Sequence, residues 1–142
     1  MAKYNNNKII LDGITFDSKD EGKYYEYLKQ LQGYNKIIAF ERQPKYELIP
    51  AFIKGDKKYR CITYSPDFLI YHLDGTEELI DVKSMGTATQ QGELRRKLFD
   101  YKYHNLKLTW VCRNLKWGDS SGWIIYEELK KIYAKKKRDK LG

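Results

Sequence analysis

The dipeptide Asp74-Gly75 constrains this chain more than any other feature. It separates two strand-like runs, Tyr59 to Leu73 and Glu77 to Lys83. Asp-Gly between such runs is a strong hairpin signal, because both residues tolerate the positive φ that tight turns between twisted strands require. An antiparallel pair is therefore expected, with Asp67 in its first strand and Asp81 in its second. Side chains alternate along a strand, so Asp81 and Lys83 project the same way. Whether Asp67 joins them depends on the loop. A two-residue turn pairing Leu73 with Thr76 sets Asp67 opposite Val82, on the wrong face. A three-residue loop with a bulge, pairing His72 with Thr76, sets Asp67 across from Asp81. A shared site requires the second arrangement.

The rest of the chain reads as alternating strands and helices. Asn5, Asn6 and Asn7 belong to a loose N-terminal arm, followed by a short strand at Lys8 to Leu11. Ser18-Lys19-Asp20-Glu21 is a capping box opening a helix that runs to about Gln32 and ends at Gly33. Positions 21, 24, 25, 28 and 32 share one face of it, which turns the Glu21 carboxylate toward the fold. Lys36 to Arg42 and Tyr46 to Ile49 are expected as strands, with a polar turn between Phe52 and Lys58. Tyr59 to Leu73 reads as one long or bent strand, interrupted at Ser65 and Pro66. In the returning strand the adjacent apolar pair Leu79-Ile80 suits a sheet covered on both faces. Ser84 to Gln91 reads as a mobile loop and Gly92 to His104 as a helix with the apolar stripe Leu94, Leu98 and Tyr101. Leu106 to Arg113 and Trp123 to Tyr126 are expected strands around a turn at Asn114 to Gly122. A last helix, Glu127 to about Lys135, runs into a basic tail of Lys135, Lys136, Lys137, Arg138 and Lys140.

With 142 residues, one domain spanning 1–142 is expected. The net charge of +8 favours a polyanionic partner, since each neutralised phosphate releases counterions. Cys61 and Cys112 are expected to be reduced and to lack the further ligands a structural zinc site needs. No apolar run approaches the length of a membrane span, so a soluble, cytoplasmic protein is expected.

Taken one at a time, the acids have bland readings. Glu21 completes a capping box, Asp67 is a solvated acid at a strand start, and Asp81 with Lys83 forms an exposed ion pair of little energetic weight. Together they suit phosphodiester chemistry. Asp67 and Asp81, helped by Glu21 and the carbonyl of Val82, offer hard oxygen ligands for Mg²⁺, with Mn²⁺ as a substitute. Lys83 would orient the attacking water and offset charge on the phosphate. No organic cofactor is needed.

Glu21 on the first helix, Pro66-Asp67, thirteen intervening residues and Asp81-Val82-Lys83 resemble the PD-(D/E)xK nuclease pattern, with Asp in place of the commoner middle Glu. The context also resembles a family of small phage proteins, the domain of unknown function numbered 1064. That family shares the helix entry seen here as Phe16 to Glu21, the Pro-Asp-Phe strand, the Asp-Val-Lys and a basic helix like Arg95-Arg96-Lys97-Leu98-Phe99. The resemblance implies an α/β fold with a restriction-endonuclease-like core, a mixed β-sheet flanked by helices. It relates the chain to phage Holliday-junction resolvases acting in recombination or replication in a bacterial host cytoplasm, and so implies branched DNA as substrate and a homodimer. Arg95, Arg96, Lys97 and Lys102 would then follow the DNA backbone, and Gln90 or Gln91 would touch phosphate or the water near the site. His72 and His104 read as structural or rim residues, and the three tryptophans as core or partner surface. Two further readings remain: a non-catalytic DNA-binding module on the same fold, and a basic structural phage protein.

Overall fold

The computed structural model describes residues 8–84, 86 and 88–141; the asparagines of the expected N-terminal arm, with Met85 and Thr87 of the expected loop, lie outside them. The fold is α/β. Its centre is a five-stranded mixed sheet in the order β11–β10–β9–β8–β3. These strands are β3 (Ile37–Arg42), β8 (Phe68–His72), β9 (Glu77–Val82), β10 (Lys107–Arg113) and β11 (Trp123–Ile125). β9 and β10 run parallel and every other pairing is antiparallel. Parallel neighbours need a crossover, and helix α2 (Gln90–Lys102) supplies it.

Helices cover both faces, which is why Leu79 and Ile80 are both buried. On one face, Phe16, Tyr24, Tyr25 and Leu28 pack against Ile37, Phe68, Ile70 and Ile80. Three of those residues belong to α1 (Lys19–Gly33), which starts where the capping box places it: the Ser18 hydroxyl accepts a hydrogen bond from the Glu21 amide at 3.1 Å. On the other face Phe99 of α2 packs with Leu69 and Leu79, and with Leu48 and Tyr64. Leu48 lies in β4 (Tyr46–Ile49) and Tyr64 in β7 (Ile62–Tyr64), which pair as a separate ribbon. A third cluster joins Trp110 and Cys112 to Tyr126 and Leu129 of α3 (Tyr126–Leu141). No helix among the described residues is long and apolar enough to cross a membrane.

Several elements differ from the sequence expectation. The short strand at the N-terminus, β1 (Ile9–Leu11), has a partner in β2 (Ile14–Phe16), joined through Asp12 and Gly13, both at positive φ. The hairpin is fixed to α1 by Asp12, which accepts from the Tyr25 hydroxyl at 2.8 Å and pairs with Lys29. Gly22 lets Ile9 close on the helix, since a Cβ there would lie 2.4 Å from Ile9 Cδ1. The expected polar turn from Phe52 to Lys58 is instead a regular hairpin of β5 (Phe52–Lys54) and β6 (Lys57–Tyr59). The long strand expected from Tyr59 to Leu73 is broken at Arg60-Cys61 and again at Ser65-Pro66, so that it spans the end of β6, all of β7 and β8, which join different sheets.

Helix α2 begins at Gln90, so Gln90 and Gln91 form its first turn and not a loop. Of its expected apolar stripe Leu98 packs on the core, but Leu94 and Tyr101 are 55% and 85% exposed, while Phe99 is fully buried and Arg96 and Tyr103 are half-buried beside it. Tyr103 stacks on Phe99, and its hydroxyl donates to the Glu47 carbonyl at 2.8 Å. Aromatic bulk facing the β4–β7 ribbon outweighs the leucine spacing. Tyr126 is helical, and α3 carries the basic tail as helix through Leu141.

Candidate functional site

The hairpin between β8 and β9 determines the site. Phe68 pairs with Ile80 and Tyr71 with Glu77. The ladder closes where the His72 amide donates to the Thr76 carbonyl at 2.9 Å. The loop therefore has three residues, Leu73, Asp74 and Gly75, with Gly75 at φ 88°. Asp74 holds the bend by accepting from the Thr76 amide at 2.9 Å and the Thr76 hydroxyl at 2.6 Å. One step beyond Phe68 and Ile80, this register sets Asp67 across from Asp81, as the odd loop requires.

The two carboxyl groups meet. Asp67 Oδ2 accepts from the Val82 amide at 2.8 Å, and its side chain also hydrogen-bonds Asp81. Withdrawal from water, then the charge of Asp81 and the Asp81 hydrogen bond, hold the Asp67 carboxyl well above the ordinary Asp range; Glu21 adds to the rise and the Val82 amide opposes it. Asp81, only 5% exposed, accepts at Oδ2 from the Tyr64 hydroxyl at 2.6 Å and faces Lys83 Nζ at 3.3 Å. The Tyr64 hydroxyl in turn accepts from Trp110 Nε1 at 3.1 Å. Trp110 sits beside Asp81 in the parallel ladder, and its ring lies 5.0 Å from the Lys83 ammonium.

Glu21 approaches from the opposite face. α1 packs on the side of Phe68 and Ile80, whereas Asp67 and Asp81 alternate with Leu69 and Leu79 on the α2 side. Glu21 is 5% exposed, and its Oε1 is buried without a hydrogen-bond partner, 3.8 Å from Arg42. Burial pushes its carboxyl above the ordinary Glu range; the charges of Asp17 and Asp81 reinforce this, and Arg42 and a hydrogen bond from the Asp17 backbone oppose it. Among the described residues, no three His, Cys, Asp or Glu side chains stand close enough to hold an ion without movement. Arg42 pairs with Glu21, while the Glu21 charge still acts on Asp67 and the Asp81 charge on Glu21.

The structure thus gathers Glu21, Asp67, Asp81 and Lys83 at one end of the sheet. Val82 takes part through its amide. Arg42 and Tyr64, which no motif marks, and Trp110, expected as core or partner surface and buried in the core, hold the charged groups in place. Parallel register alone would have marked Trp110 as the neighbour of Asp81, and a single chain does not announce it. The expected DNA-contacting cations of α2 divide. Arg95 and Lys97 are exposed, as are Gln90 and Gln91. Lys102 lies 3.9 Å from Glu47. Arg96 is half-buried, 4.6 Å from the Trp110 ring and paired with Glu127.

Fold and site together define a mixed α/β protein with a cluster of acids at the end of a β-hairpin. The chain belongs to a family described as a protein of unknown function (DUF1064), whose profile matches residues 1–119. No curated protein and no solved structure matches it.

Proposed function

We propose that this protein is a Mg²⁺-dependent endonuclease that hydrolyses phosphodiester bonds in DNA, with branched DNA such as a four-way junction as its substrate. The hairpin register carries the reading: it brings Asp67, Asp81 and Lys83 to one face, an arrangement that costs stability and that a structural sheet has no need of. The donors suit a hard cation. Three carboxyl groups stand against two cations, Arg42 and Lys83, the acidic neighbours of Asp67 hold its carboxyl above the ordinary Asp range, and Glu21 Oε1 is a buried oxygen without a donor. Asp67, Asp81 and Glu21 would hold the ion. When bound, Mg²⁺, or Mn²⁺ in its place, supplies a Lewis acid for the scissile phosphate and acidifies a water.

The remaining steps belong to the chain itself. Lys83 places an ammonium at the site, held between Asp81 and the Trp110 ring, to orient the water and offset phosphate charge. Tyr64 and Trp110 fix the Asp81 carboxylate, and Arg42 restrains Glu21. The order of acids along the chain supports a restriction-endonuclease-like core of the PD-(D/E)xK kind. Paired cuts in a symmetric junction call for a homodimer, and the host cytoplasm is the compartment where phage DNA is processed.

The test is cleavage of labelled four-way junction, flap, duplex and single strand in Mg²⁺, in Mn²⁺ and in EDTA. Wild type is expected to nick the junction symmetrically with either metal. Asp81→Ala is expected to lower the rate at least about a hundredfold, the scale on which loss of one charge-stabilising contact acts. Binding of DNA without cleavage of any substrate would overturn the enzyme and leave a DNA-binding module.

A further inference from the structure

The β5–β6 hairpin has no evident structural purpose. Every residue from 51 to 62 is exposed, and none of its side chains enters the three hydrophobic clusters. An isolated two-stranded hairpin is marginal in water. This one is braced within itself: Phe52 and Tyr59 stack across the strands with centroids 4.6 Å apart at 11°, and Lys57 lies 4.7 Å from the Tyr59 ring. Gly55 at φ 61° makes the tight tip.

Its chemistry is one-sided. Lys54, Lys57, Lys58 and Arg60 stand against a single acid, Asp56. The pairs Phe52–Tyr59 and Lys54–Lys57 share one face, while Ile53 and Lys58 pair on the other. Both faces therefore carry positive charge, and both carry exposed apolar surface, with Ile53 67% exposed.

We propose that this arm is a β-ribbon that lies in the major groove of duplex DNA beside the cleavage site, an inference that rests on the reading of the protein as a DNA-cutting enzyme. A two-stranded ribbon fits that groove, where phosphates flank it on both sides and base edges line the floor. Ile53 meets the base edges from the face it shares with Lys58, and the long lysine side chains along both strands reach out to the phosphate walls on either side. The arm is rooted at the site: it continues the ribbon that ends in Tyr64, whose hydroxyl holds Asp81. From Asp56 at the tip to Tyr64 is eight residue steps. That gives a reach of at most about 28 Å, or about eight base pairs at 3.4 Å each. The arm thus reads duplex flanking the cut.

Full-length wild type, the triple variant Lys54→Ala/Lys57→Ala/Lys58→Ala, and Ile53→Ala test this by fluorescence anisotropy with a labelled duplex and a four-way junction, in EDTA, over a salt series. The triple variant is expected to reduce the slope of log K against log salt by about 2 to 3, since each phosphate contact contributes about 0.9. Ile53→Ala is expected to weaken binding several-fold with the slope unchanged. Melting temperatures should stay at the wild-type value, because the arm packs in no core. Identical binding by wild type and the arm variants would overturn the arm alone, as would loss of dimer in the variants without change in DNA affinity. Arm-dependent binding by a wild type that cuts nothing would uphold the arm and overturn the nuclease. A wild type that binds no DNA overturns both.

Discussion

Asp67 carries two electrostatic costs at once, withdrawal from water and a carboxylate neighbour in Asp81. Its carboxyl therefore holds a proton in the folded protein at pH values where the unfolded chain has lost it. Stability contributed by that proton is complete at low pH and is lost as pH rises through the raised pKa. Asp67→Asn removes the repulsion while keeping an acceptor for the Val82 amide. In EDTA at about pH 7 it is expected to be more stable than wild type by about 1 kcal/mol. Thermal melts of both proteins across a pH series check this: the gap should close toward acid pH, and a less stable Asn variant at neutral pH would contradict the account. At this scale the sequence was informative where two residues share a strand. Asp81 and Lys83 are two apart, and alternation alone puts them together. Tyr64, Arg42 and Trp110 come from three other strands, and pairings between distant strands leave no mark at any one position.

The β8–β9 loop shows how local chemistry selects register. Asp74 accepts two hydrogen bonds from Thr76, and only Gly75 takes positive φ in the bend. Gly75→Ala has open space for its methyl but not a compatible backbone, so it is expected to cost about 1–2 kcal/mol. Urea unfolding measures this, and an unchanged midpoint would contradict it. The Asp-Gly signal announced a hairpin but not which of two loops closes it; the requirement that the acids share a face made that choice. Helix α1 was readable because its capping box and aromatic stripe agree. Helix α2 was misread because its inward face includes Arg96, whose partners Trp110 and Glu127 lie 14 and 31 residues farther along the chain. A cation against an indole face packs as apolar surface does, and periodicity scores it as polar.

Across the whole sheet, Glu78 ties three strands at the end away from the acids. It meets His72 at 2.9 Å, Thr109 at 2.8 Å and Lys107 at 3.5 Å. Withdrawal from water would raise its carboxyl, but hydrogen bonds from Thr109 and His72 and the Lys107 charge outweigh that and hold it below the ordinary Glu range. A lowered pKa contributes stability above the unfolded value and loses it as pH falls through the folded one. Glu78→Gln is expected to cost about 1 kcal/mol at about pH 7. The difference should shrink as pH falls through the lowered Glu78 range, as equilibrium unfolding at neutral and acid pH would show. The hairpin above it has a consequence for inheritance. Codons gained or lost between His72 and Thr76 change only the bend and leave the acids facing each other. A single codon gained or lost within β8 or β9 turns one acid to the far side of the sheet. The thirteen residues separating Asp67 from Asp81 are therefore not a fixed ruler: descendants of this gene can drift in that spacing, provided every change falls inside the loop.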